Sequence, residues 1–131
     1  LILKRLAFIE SCVADLKRDA QPSALETSVR ERRFIEHTLQ LAIQSALDVA
    51  SHVVSDEKLG EPRTNRELFT LLARHGWLEA DLSRQLELMA GFRNVLVYGY
   101  TEVDLGIVRD ILDNHLQDLL DFVSVIRPRV P

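Results

Sequence analysis

SALETSVRERRFIEHTLQLAIQSALDVASHVVS, residues 23–55, runs from end to end without a Gly or a Pro. Leu25, Val29, Ile35, Leu39, Ala42, Ala46, Val49 and Val53 recur along it near the helical period, which predicts one amphipathic helix. Ser23 and Glu26 stand at capping-box spacing, so the helix is expected to begin at Ser23. About 30 residues at 1.5 Å each make roughly 45 Å. That length is too great for a lone surface helix and suits the spine of a bundle.

The flanking sequence fits the same architecture. Leu3, Leu6, Ala7, Ile9, Val13 and Leu16 predict a first helix over residues 1–19, stopped by Gln21-Pro22. SDEKLGEPR, residues 55–63, reads as the one substantial loop. A second capping box, Thr64 to Glu67, opens a short helix that Gly76 closes. A further helix starts at or just before Asp81, carries the stripe Leu78, Leu82, Leu86, Met89, Arg93 and Leu96, and is expected to end at Gly99. Asp104 is a good N-cap for a last helix whose stripe is Leu105, Val108, Leu112, His115, Leu119, Phe122 and Ile126. The expectation is therefore an all-α, up-and-down bundle of four longer helices and one short one, a single domain over residues 1–131.

Composition narrows the function classes. Apolar residues make up 47% and charged residues 27%, which excludes a disordered tail, and five Gly with four Pro are few for an all-β chain. Sixteen basic against twenty acidic residues leave a net charge of −4, so any binding of nucleic acid must come from a local patch. No run of residues approaches a membrane span, and the first residues are unlike a signal peptide. The single Cys12 cannot form an internal disulfide, which suggests a reduced, cytoplasmic setting. Beginning at Leu1, the chain is expected to have lost a start residue by trimming. Phosphate-loop, dinucleotide, serine-hydrolase and Cys/His metal motifs are all absent, so no metal and no cofactor is expected.

The chemistry-bearing candidates are few. Arg93 continues an apolar stripe, so its guanidinium either pairs with a carboxylate, snorkels past the bundle end, or faces a second subunit or an anionic ligand. Asn94, Tyr98 and Tyr100 follow it around Gly99; the two rings either seal the bundle end or bind phosphate and stack on a base. Asp48 and His52 read as a surface pair, His115 as a hydrogen-bonded core imidazole, and Arg30, Arg32 and Arg33 as a solvated face or an RNA-backbone track.

At residues 86–100, LELMAGFRNVLVYGY, the chain resembles the HepT-like toxins of the HEPN superfamily, whose signature is R-x4-H-x-Y after a Met-x-Gly-Phe-like lead-in. Arg93, Asn94 and Tyr100 match the signature, whereas Tyr98 stands where the family has His. The stretch Leu59-Gly60-x-Pro62-x-Thr64-x-Arg66-Glu67-x-Phe69 and the pair Val103-Asp104 extend the likeness over most of the chain. The resemblance implies a HEPN-like homodimer, a metal-independent endoribonuclease acting on RNA, and the toxin role in a pair with an MntA-like nucleotidyltransferase antitoxin. It implies Arg93 at the phosphate, the residue at position 98 as the proton carrier, and Tyr100 as acceptor of AMP from the antitoxin. An imidazole titrates near 6.5 and a phenol near 10. A Tyr at that place therefore implies weakened or absent cleavage. The other readings are a non-catalytic helical protein that binds a nucleotidyltransferase, and a small-molecule-binding bundle.

Overall fold

The computed structural model describes residues 1–99 and 102–131. Its helices are α1 (Ile2–Asp19), α2 (Val29–Asp56), α3 (Asn65–Arg74), α4 (Ala80–Tyr98), α5 (Leu105–Asp110) and α6 (Leu116–Ile126), the last two joined by a π-helical turn, Ile111–His115. There is no strand among the described residues. Short 3₁₀ turns at Pro22–Ala24 and Arg127–Arg129 precede α2 and follow α6.

Long-range contacts set the course of the chain. Arg5 of α1 pairs with Asp48 near the end of α2 at 3.2 Å, so these two helices run antiparallel. Glu87 of α4 bonds Thr70 of α3, and the Ser83 hydroxyl donates to the Phe69 carbonyl at 3.2 Å. Arg127, just past α6, meets Glu10 in the middle of α1. The result is the expected up-and-down order of α1, α2, α4 and α5–α6, with the short α3 laid against α2 and α4. Leu6, Ile9, Val13 and Leu16 of α1 pack with Ile35, Leu39, Ala46 and Val49 of α2, all buried. Phe69 and Phe122 meet edge to face, centroids 5.8 Å apart, bringing α3 and α6 together in the core.

Two details depart from the expected pattern. The spine starts at Val29, not Ser23, because Ser28 is the N-cap and accepts from the Glu31 N–H at 3.1 Å. Glu26, the expected partner of Ser23, instead pairs with Arg109 of α5. The other is the π turn in the last helix. Val108, Ile111, Leu116 and Leu119 are the buried positions there, so the five-residue step from 111 to 116 leaves Leu112 partly buried at the edge of the core and moves His115 out of it. Asp104 and Thr64 cap their helices as expected, and Gly99 ends α4 at φ 62°, a left-handed conformation that glycine takes without Cβ strain.

Candidate functional site

The last turns of α4 carry the motif. Leu86 and Met89 of the apolar stripe are buried, and Arg93 continues it half-buried, as the periodicity predicted. Its partner is not a carboxylate. Nη1 donates to the Asn94 side-chain oxygen at 3.0 Å, while Nε is buried with no hydrogen-bond partner among the described residues. A guanidinium held this way keeps its charge for a ligand or a second subunit, since a buried N–H left unpaired is costly.

Tyr98 is the last residue of α4 and 57% exposed, so its ring does not seal the bundle end. Asn94 and Tyr98 are four residues apart and share one side of the helix, whereas Arg93 and Tyr98, five apart, diverge by about 140° at 100° per residue. Asn94 is thus the link: its amide oxygen orients Arg93 and its position lies beneath Tyr98. Tyr100, the expected AMP acceptor, lies outside the described residues.

Basic residues lie toward the motif's end of the bundle, and exposed apolar residues occur along α4 and α5. Because α2 and α4 run antiparallel, the first turns of α2, with Arg30, Arg32 and Arg33, lie at the bundle end where α4 finishes. Leu88, Val97 and Ile107 are exposed apolar residues along α4 and α5. The Glu36 carboxyl of α2 is raised above the ordinary carboxylate range by burial, with Arg32 opposing the shift.

The remaining candidates are settled by tertiary contacts. Asp48 is engaged by Arg5 and by Gln44 at 2.9 Å, so the expected pairing with His52 is replaced. His115 is hydrogen-bonded but is no core residue. Its Nδ1 meets Asp118 at 2.8 Å and its Nε2 meets Asp110 at 3.1 Å, at the wall of a cleft between α4 and α5. Sequence reasoning missed that cleft, whose only advance signal was Gly91 inside a helix. Among the described residues no cluster of His, Cys, Asp and Glu could hold a metal ion, and no helix is long and apolar enough to cross a membrane.

Comparison with known proteins agrees with the family resemblance and the fold. The family model described as ribonuclease HepT-like matches residues 2–126. The mRNA nuclease HepT of Shewanella oneidensis is 29% identical over 130 residues, spanning 97% of this chain and 96% of that one. The tRNA nuclease HepT of Aphanizomenon flos-aquae is 35% identical over 78 residues, 60% of this chain and 53% of that one. A solved complex of the tri-AMPylated Shewanella oneidensis HEPN toxin with its MNT antitoxin has a TM-score of 0.90 at 30% identity, covering 97% of this chain and 96% of that one. With its motif at the end of α4 and its bundle matched over nearly the whole length, the chain belongs to the HepT-like ribonuclease family.

Proposed function

We propose that this chain is the toxin of a toxin–antitoxin pair, built on an endoribonuclease scaffold whose cleavage is weakened because Tyr98 stands at the proton-carrying position. The observation that carries the reading is Arg93: half-buried at the end of an apolar stripe, oriented by Asn94, with its Nε unpartnered among the described residues. Such a guanidinium suits a phosphodiester, and Arg30, Arg32 and Arg33 at the same bundle end suit the flanking RNA backbone.

In the reaction the ribose 2′-oxygen attacks the adjacent phosphorus, the bond to the 5′-oxygen breaks, and a 2′,3′-cyclic phosphate forms. A base takes the 2′-hydroxyl proton and an acid returns one to the departing 5′-oxygen, so no metal is needed. Arg93 balances the charge that builds on the phosphoryl oxygens. Asn94 holds Arg93 in place. The group at position 98 has the proton transfers, a service typically worth about 10²–10⁴ in rate.

Two copies complete the site in this reading. Arg93 and Tyr98 point away from each other within one helix, and the exposed Val97, one turn after Arg93, provides an apolar contact for a second copy. A partner enzyme, an MntA-like nucleotidyltransferase, silences the toxin by adding AMP to Tyr100, next to the left-handed Gly99 that closes α4. The exposed phenol at position 98 in place of an imidazole favours a second reading, a non-catalytic helical protein whose task is to bind that nucleotidyltransferase.

The test compares the parent chain with Tyr98→His on RNA, with and without EDTA. Tyr98→His is expected to cleave faster by about 10²-fold or more, unaffected by EDTA, and Tyr98→His with Arg93→Ala is expected to be inactive. Intact RNA with purified Tyr98→His would reject the catalytic assignment and leave the binding protein. With the cognate nucleotidyltransferase and Mg-ATP, AMP should map to Tyr100 and vanish in Tyr100→Phe; AMP on Tyr98 alone would move the acceptor.

A further inference from the structure

Arg66 lies at the start of α3, and its guanidinium rests directly on the backbone of α4 at Gly91. A Cβ built on Gly91 would come within 2.0 Å of the Arg66 Nη2 and 2.7 Å of its Cζ. Glycine in the middle of a helix is otherwise a poor choice, so this seat explains it. Among the described residues the guanidinium has no hydrogen-bond or salt-bridge partner.

Arg66 faces into the cleft between α4 and α5, a volume of about 400 Å³, within the range of small-molecule sites. Leu88, Phe92 and Ile107 provide apolar walls. The carboxylate in the same cleft, Asp110, is already occupied: one oxygen accepts from the Asn114 amide at 2.7 Å and the other meets His115 at 3.1 Å. His115 is in turn held by Asp118. The acid is tied back along its own helix, so the positive charge of Arg66 is left for a ligand. Val95, on the cleft wall, is three residues before Tyr98 and next to Asn94, so the cleft adjoins the motif.

We propose that this cleft is a nucleotide subsite, in which Arg66 takes the phosphate of one RNA nucleotide flanking the scissile bond and the apolar walls take its base. The assignment rests on the RNA-binding reading above and adds a residue and a position to it. A planar guanidinium laid flat on a helix backbone is oriented in advance for two phosphate oxygens, and an apolar wall accepts any base without selecting among them. The subsite therefore gives affinity and register along the strand.

The test is a titration with adenosine 5′-monophosphate followed by NMR at the Arg66 Nε–H and the Gly91 amide. The parent chain should show saturable shifts at both, and adenosine without phosphate should show little. Arg66→Gln should weaken binding about tenfold or more, the loss expected for one charge-assisted contact. Gly91→Ala separates ligand binding from folding: the methyl group displaces the guanidinium and weakens binding similarly, while the better helix former leaves the melting midpoint equal or higher. In the Tyr98→His background, Arg66→Gln should raise KM for RNA with kcat largely kept. Equal affinity for the monophosphate in the parent and both variants overturns the subsite. Shifts that follow protein concentration rather than nucleotide also overturn it, and assign the cleft to the second copy. Because the titration needs no cleavage, an inactive Tyr98→His rejects the nuclease reading without deciding the subsite.

Discussion

Cys12 shows how packing sets the chemistry of a single residue. Burial on the inner face of α1 pushes its thiol up to about 11, with the charge of Asp15 adding to the effect. Only the thiolate is nucleophilic. Iodoacetamide at about pH 8 should therefore leave Cys12 unmodified in the native protein and alkylate it promptly in urea; rapid native labelling by mass spectrometry would contradict its placement. Glu36 is the second case. Burial raises its carboxyl, so the folded state binds the proton more tightly than the unfolded chain. Stability then falls as pH rises from the ordinary carboxylate range through the raised value. Glu36→Gln removes that loss. It should melt higher than the parent at neutral pH and lose the advantage near about pH 4; an equal advantage at both pH values would show that ionisation is not the cause.

The start of α2 turns on which of two similar boxes forms. Ser23 and Ser28 each stand three residues before a Glu, and local spacing does not choose between them. Tertiary contacts do: Glu26 is drawn to Arg109, while the Glu31 carboxylate accepts the Gln21 N–H at 2.7 Å and its backbone N–H reaches Ser28. Ser28→Ala should cost about 1 kcal/mol, read from the urea midpoint, and Ser23→Ala should be close to neutral. A larger loss at Ser23 would restore the earlier helix start. The π turn is the same kind of decision made inside an element. A near-heptad stripe is legible through the last helix, but the inserted residue moves His115 from the expected core face to the cleft, where Asp110 and Asp118 hold it. No local signal marks the turn, because the gain comes from fitting Ile111 and Leu116 to the core together.

For the whole molecule, association follows from what one bundle leaves uncovered. Val97 is 39% exposed and stands one turn after Arg93, on the same face of α4. Light scattering at micromolar concentration should give a dimer mass, and Val97→Glu should shift it toward the monomer, since a charge would have to be buried in an apolar contact. A strict monomer in the parent chain would remove the shared site. Periodicity and caps by themselves determined the helix inventory, the end of α4 at Gly99 and the place of Arg93 on its stripe, because these depend on neighbours within a few residues. The motif likewise pointed to the family through Arg93, Asn94 and Tyr100, despite Tyr98 at the family's His position. Only the tertiary structure decided that Asn94 rather than a carboxylate orients Arg93, that Asp48 belongs to Arg5, and that Gly91 is the seat of Arg66. Such pairings join elements across the bundle or depend on how a helix end is buried, and their energies are set by distances that spacing along one helix does not contain.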